Sequence, residues 1–530
     1  MPSASVYFYT PPVSPFRTPG STPLKRRWKI LIGLLILALL GWAVGTWYLG
    51  IMDEREPSKL AFAEHCATCH GATLQGGADG PALVGRELAG GESVEALMAS
   101  IVEGHPGQDI DTWRDAISSE SIKALALYVA ERRRDWPSTS SSYFLDVEEQ
   151  VVDSQHHRFR VERVTELLSR PYSIAPLPDG RILVSEKSRG LSIVDAEGVQ
   201  GELITGTPKV WGPIATVRGA QASLGSLLDV ELHPAYEDND WVYLSHTHRC
   251  QLDCGSPWPV TMVRVLRGRI KEGQWVDEEI IWSVDPVYYT VVPDGVACGR
   301  LAFDNGGHVY VTVGGKAPYS NLHKLDTPYG KVHRVRDDGT VPEDNPLFLP
   351  ESERQAGSTR HTVYSYGHRT AQGLAAQPGS GAIYNTEMGP RGGDEVNLIQ
   401  SGGNYGWPLY TGGIDYSGEP ITIGQELGLD FPYEDTVPPV VDFTPAPALS
   451  NFAFHQGDRF PGWDNDLLIG SLKARTLYRV RLRDGVEVER EALATNVGRI
   501  RDVEMGPDGL VYIAVEHGDN GSLLRLVPVD

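Results

Sequence analysis

Positive charge is what this chain lacks: 47 Lys and Arg stand against 69 Asp and Glu, a net charge of −22. A field of that sign excludes broad binding to nucleic acid or to anionic lipid surfaces and leaves small molecules and proteins as partners. Cysteine is scarce, with five in 530 residues, and only one Cys-x-x-Cys occurs, so a zinc knuckle with two paired-thiol arms has no basis. Long apolar runs are missing apart from one near the N-terminus. Glycine (58) and proline (37) are instead plentiful and spread along most of the chain, which favours many short strands and turns. The length exceeds what one core supports and predicts several domains.

Residues 1–24 are rich in Ser, Thr and Pro, carry one charge, Arg17, and read as a disordered tail. Lys25, Arg26, Arg27 and Lys29 then precede the uncharged run 30–51, whose 22 residues would span roughly 33 Å as a helix, enough to cross a bilayer. Trp28, Trp47 and Tyr48 lie near its edges as interfacial anchors. Residues 25–52 therefore predict one uncleaved transmembrane anchor. The cations before it and Asp53, Glu54 and Glu56 after it put the N-terminus in the cytoplasm, the anchor in the inner membrane and the bulk of the chain in the periplasm. A cleaved signal peptide would need a shorter apolar core and a small-x-small site.

The cysteines divide by context. In Cys66-Ala-Thr-Cys69-His70 two thiols stand at the spacing for thioether bonds to haem vinyls, and the next residue offers an imidazole as proximal iron ligand. With Phe62 and Ala63 before it, Gly76, Gly77 and Pro81 looping after it and an amphipathic closing helix over 121–134, the segment 57–136 resembles a small class I cytochrome c. Such domains present a methionine before the last helix, but residues 107–113 hold none. Met98 and His105 are the alternatives for the sixth ligand, beside an open iron. Cys250 and Cys254 frame a short loop and read as a local disulfide or as two buried thiols, and Cys298 reads as a small buried hydrophobe.

After a linker (137–157), a turn followed by an apolar strand recurs six times: at Asp179-Gly180, Asn239-Asp240, Asn305-Gly306-Gly307, Gly379-Ser380-Gly381, Asn465-Asp466 and Asp508-Gly509. Roughly 60 residues per repeat predict a six-bladed β-propeller over 158–530. The fold class expected is multidomain: a transmembrane helix, an all-α cytochrome c domain and an all-β propeller.

The stretches around Leu227-Leu228-Asp229, Tyr366-Gly367-His368-Arg369, residues 387–398, Asn404-Tyr405-Gly406-Trp407-Pro408, Ser471-Leu472-Lys473 and Gly498-Arg499-Ile500-Arg501-Asp502 resemble the PQQ-dependent glucose/sorbosone, or soluble aldose, dehydrogenases. PQQ is a tricarboxylate, and Arg369, Lys473, Arg499 and Arg501 match the family's cationic contacts to it. The resemblance also implies Ca²⁺ at the quinone, held by carbonyls of Gly389 and Pro390, and a structural Ca²⁺ at Glu395 and Tyr405. The family's histidine base, however, falls at Val296, its aspartate partner at Gly315, a substrate-side glutamine at Leu224 and an asparagine at Thr370. Arg300 is retained as a supporting group, and Asp294, His246 and His248 are the candidate replacement bases. The resemblance implies an oxidoreductase that passes electrons from a sugar or alcohol at PQQ–Ca²⁺ to the covalent haem, and then to a respiratory acceptor, a protein or a quinone. The alternative is a non-catalytic propeller that binds a ligand or partner and presents the cytochrome.

Overall fold

The computed structural model describes residues 57–77, 79–104, 117–136, 151–212, 215–217, 220–222, 224–291, 298–315 and 319–529. The N-terminal tail 1–24, the apolar run 30–51, His105, Asp294, Val296 and most of the linker lie outside them. Among the described residues no helix is long and apolar enough to cross a membrane.

Six antiparallel sheets form the blades of a propeller. Each of the six turns singled out above opens the second strand of a blade: Ile182–Glu186, Val242–Cys250, His308–Val313, Ile383–Glu387, Leu467–Ser471 and Val511–His517. The physical reason is shared. Each turn has positive φ at one residue or two, at Gly180, Asp240, Gly307, Gly379 with Gly381, Asn465 and Gly509, where Gly, Asn and Asp cost least. The last sheet closes the ring, because Arg158–Leu167 from the start of the propeller pairs with Asn520–Pro528 at its end. A hydrophobic core fills each junction between neighbouring blades.

At the axis the inner strands, Pro171–Pro176, Leu227–Leu232, Leu301–Phe303, Ala371–Ala376, Leu449–Phe454 and Arg499–Met505, touch one another in a ring. Arg300, 0% exposed, plugs it. Its Nη1 donates to Asp229 at 2.7 Å and Asp502 at 3.0 Å, its Nε to the Gln372 carbonyl, and its Nη2 to the carbonyls of Tyr172 and Arg501. Asn451 of the fifth blade donates to Asp502 at 2.6 Å, so every blade joins the hub.

Among the described residues the cytochrome domain has four helices: α1 (Pro57–His65), α2 (Ala67–His70), α3 (Val94–Glu103) and α4 (Ser119–Arg134). Helix α4 starts at a Ser118 cap, whose hydroxyl accepts from the Ser121 amide. It departs from the amphipathic pattern expected of it: every residue from 124 to 130 is buried. One side packs on α1 and α3, and the other lies on the propeller, whose Ile414 joins the cytochrome core. A helix apolar all round is one with neighbours all round.

Replacing Arg300 by Met should destabilise the propeller by about 3–5 kcal/mol, since Asp229 and Asp502 would be left buried and unpaired. Chemical denaturation followed by tryptophan fluorescence measures it.

Candidate functional site: two cavities on either side of one helix

Cys66, Cys69 and His70 border a cavity of about 370 Å³ in the cytochrome domain, closed by apolar side chains including Phe62, Leu97, Leu125 and Val129. The His70 Nδ1 hydrogen-bonds the Pro81 carbonyl at 2.8 Å. That contact places the proton of the neutral ring on Nδ1 and the lone pair on Nε2, the arrangement an iron ligand needs. Burial, aided by Cys69, pushes the Cys66 thiol up to about 11. Two thiols, one oriented imidazole and an apolar wall on a single cavity fit a covalently held haem. Met98 packs against the domain core and is not among the residues bordering this cavity.

A second cavity, about 520 Å³, lies between the propeller and α4. Its propeller wall includes Arg369, Gly389, Pro390 and Lys473, while Tyr128, Glu131, Arg132 and Asp135 of the cytochrome domain form the other. The loop 388–393 is shaped by Asp394, which accepts from the Gly389 and Leu449 amides at 2.9 Å each and whose carboxyl burial pushes up to about 7. Gly389 has to be glycine, because a Cβ there would lie 2.1 Å from the Gly392 carbonyl oxygen. Arg369 Nη1 donates to the Met388 and Gly389 carbonyls at 2.8 Å, with its guanidinium 5.1 Å from the Trp407 ring.

Arg499 and Arg501 belong to a buried cluster that sequence reasoning only half found. Glu516 is its centre: Arg501 lies at 2.8 Å, Lys187 at 3.2 Å and Arg499 at 3.3 Å. Burial works against the Glu516 carboxylate, but the three cations outweigh it and hold it far below the usual range. Burial, with help from Arg501, lowers Lys187 to about 8. Three cations facing one carboxylate leave an excess of positive charge in an acidic protein, and Arg499 also reaches the Leu472 carbonyl beside Lys473. None of the three cations is among the residues bordering the second cavity, so they would act on an anion there through their field. Lys187 carries no sequence signal beyond its place at the end of a blade's second strand.

Other candidates are placed elsewhere. Arg300 does not border either cavity; its guanidinium is wholly engaged at the hub, which makes it a structural tie in place of the supporting catalytic group expected. Gly315 has no room for the family's aspartate, because a Cβ there would lie 2.3 Å from the His368 carbonyl oxygen. Leu224 and Thr370 are buried. Cys298 is buried, and its carbonyl accepts from the Tyr172 hydroxyl. Cys250 and Cys254 are joined in a disulfide. Burial drives His246 down to about 3, and burial with Arg264 takes His248 to about 4; Nδ1 of the latter hydrogen-bonds the Tyr289 hydroxyl at 2.9 Å. Burial, reinforced by Glu387, pushes Glu395 up to about 8, while the Tyr405 hydroxyl is held by the Leu398 carbonyl and the Gln400 amide. Among the described residues no group of three or more His, Cys, Asp or Glu side chains could hold a metal ion.

Two outcomes follow. Met98→Leu should leave the absorption spectrum of the haem-loaded protein unchanged, whereas His70→Ala should alter it. Gly315→Asp should cost stability by about 1–3 kcal/mol, the usual penalty of overpacking, read as a lower thermal midpoint.

Comparison with known proteins agrees with both halves. The family described as "Glucose / Sorbosone dehydrogenase" matches residues 168–525, and that described as "Cytochrome C oxidase, cbb3-type, subunit III" matches residues 55–129. The aldose sugar dehydrogenase YliI of Escherichia coli is 33% identical over 374 residues, 69% of this chain and 92% of that protein. Quinoprotein glucose dehydrogenase B of Acinetobacter calcoaceticus is 26% identical over 474 residues, 75% of this chain and 92% of the relative. The apo-form crystal structure of the soluble aldose sugar dehydrogenase of Escherichia coli superposes with a TM-score of 0.61 at 30% identity, covering 70% of this chain and all of that one. The chain belongs to the glucose/sorbosone dehydrogenase family, as a sugar-dehydrogenase-like oxidoreductase whose propeller is preceded by a cytochrome c domain.

Proposed function

We propose that the protein is a membrane-anchored quinohaemoprotein that oxidises a sugar or alcohol in the propeller cavity and delivers the electrons to a covalent haem c, for onward passage to a respiratory acceptor. The observation that carries this is the placement of α4. Its Leu125 and Val129 border the haem cavity, while Tyr128, Glu131 and Arg132 border the propeller cavity, so one helix separates the two. The Tyr128 ring lies 5.4 Å from that of Phe62, which also lines the haem cavity.

PQQ supplies a two-electron acceptor when bound, and the haem takes electrons singly. Arg369 and Lys473 would hold its carboxylates from the cavity wall, with Arg499, Arg501 and Lys187 adding positive charge behind them. The Pro390 carbonyl offers a hard oxygen for Ca²⁺ beside it, the Gly389 carbonyl would do so once released by Arg369, and Glu395 and Tyr405 are the proposed place of a structural Ca²⁺. The quinoprotein relative supports this cofactor. The run 30–51 supports a single inner-membrane anchor with the rest of the chain periplasmic, and the Cys250–Cys254 disulfide suits that oxidising compartment.

Proton removal from the substrate is the weak point. His246 and His248 are neutral at neutral pH but too weakly basic to drive it, and Val296 offers no base. With Asp294 the remaining candidate base, oxidation of common aldoses should be slow, or the substrate unusual. A non-catalytic, ligand-binding propeller is the second reading, favoured by the crowding at Gly315.

Purified protein supplied with PQQ and Ca²⁺ should reduce its own haem on addition of a suitable aldose or alcohol, read as the change from ferric to ferrous absorption. If PQQ binds and no member of a broad substrate panel reduces the haem, the non-catalytic reading stands. Arg369→Met should weaken PQQ binding about tenfold or more, since one charge-assisted bond is worth about 1.5–3 kcal/mol, as isothermal titration would show.

A further inference from the structure

Helix α4 brings a carboxylate to the wall of the propeller cavity. Glu131 Oε1 accepts from Lys473 Nζ at 3.0 Å, and Oε2 accepts from Arg391 Nη2 and Nε at 3.0 and 3.1 Å. Arg391 also donates to the Ser58 hydroxyl on α1 at 3.3 Å, and Arg134 donates to the Ala446 carbonyl at 2.7 Å. The cytochrome domain is thus anchored at Arg391, Lys473 and Arg134. These anchors are unequal, because the Arg391 side chain is 8% exposed and that of Lys473 46%. Arg391 is locked in place, whereas Lys473 is held at the rim and is the contact that can be exchanged.

Lys473 has a second claimant. It borders the same cavity as Arg369, Gly389 and Pro390, and its ammonium is a cation an anionic ligand there would seek. Burial pushes the Glu131 carboxyl up, but Lys473 and Arg391 together outweigh it, so the group is ionised at neutral pH.

We infer that Glu131 and the anionic cofactor compete for Lys473, so that the docked cytochrome domain sets how tightly the propeller cavity holds its ligand. This rests on the reading that the cavity takes a tricarboxylate. An ammonium carries one unit of charge on a compact head, and a second carboxylate brought to it meets repulsion from the first as well as attraction from the lysine. The ligand therefore gains less from Lys473 than from an unpaired lysine. By reciprocity it loosens the Glu131–Lys473 contact by the same factor, while Arg391 and Arg134 keep the domain docked.

The test uses the full-length, haem-loaded protein with Ca²⁺, titrated calorimetrically with PQQ itself. Glu131→Gln keeps the side chain's size and an acceptor for Arg391 but removes the charge, and should bind PQQ about tenfold more tightly, 1.4 kcal/mol. Glu131→Asp, which keeps the charge, should bind more weakly than Glu131→Gln. Lys473→Met should bind more weakly than the unaltered protein, and in that background Glu131→Gln should bring no further tightening, as a double-mutant cycle requires. The haem spectrum of each variant reports whether the cytochrome domain is folded. Unchanged or weaker affinity in a folded Glu131→Gln protein overturns the inference while leaving the cavity reading intact. Tightening that persists without Lys473 overturns the competition. Absence of PQQ binding in every protein overturns the cavity reading and the inference with it.

Discussion

One guanidinium holds the propeller's centre. A buried arginine facing two buried carboxylates is a poor source of stability in itself, because the desolvation of three charges offsets most of their attraction. It is, however, a strict condition. Arg300 is satisfied only when carbonyls or carboxylates from the first, second, fourth and sixth blades converge on it, and Asn451 brings in the fifth through Asp502. An incompletely closed ring would leave at least one of these charges dry and unpaired. The hydrophobic seams between blades are tolerant of small shifts, whereas this hub is not, and it fixes where the inner strands begin.

That matters because the candidate site is built on those beginnings. Arg369 stands two residues before the inner strand of the fourth blade, and Arg499 and Arg501 alternate at the start of that of the sixth. The carbonyl of Arg501 accepts from Arg300 while its side chain reaches Glu516, so one residue belongs to both the hub and the cation cluster. Positive charge is concentrated there against a strongly negative background by burial: Glu516 gathers three cations that would repel one another, and the remaining excess is what an anion would find.

The sequence made some of this legible and hid the rest for identifiable reasons. The blades could be read from their turns because a hairpin needs a residue at positive φ, and the chain writes that need as Gly, Asn or Asp at six regular places. Cys66, Cys69 and His70 could be read because covalent attachment fixes their spacing. Lys187 could not, since its importance comes from Glu516, more than three hundred residues away, and nothing near it departs from an ordinary strand end. Arg300 was legible as a matching residue but not as a hub, because its partners come from strands scattered over the whole propeller. Gly315 was legible as a missing aspartate, yet the crowding that forbids one there is a property of the His368 carbonyl. For α4 the signal is in the sequence: seven residues from 124 to 130 carry no charge or amide, too many for a helix with a wet face.

That helix changes what a fused cytochrome means. A flexible tether would raise the local concentration of one redox domain near another and leave their meeting to chance encounters. Here the apolar side chains of α4 bind the cytochrome core on one side and the propeller on the other, so docking is part of folding. The arrangement is tight enough that Ile414, from a propeller loop, is buried in the cytochrome core, and Leu127 lies against the loop at Gly392 that forms the propeller cavity's edge. Electron passage between the cavities would then need no domain search. The same closeness constrains the propeller, because its cavity has a cytochrome helix as a wall, and whatever enters must fit beside the side chains that hold the two domains together.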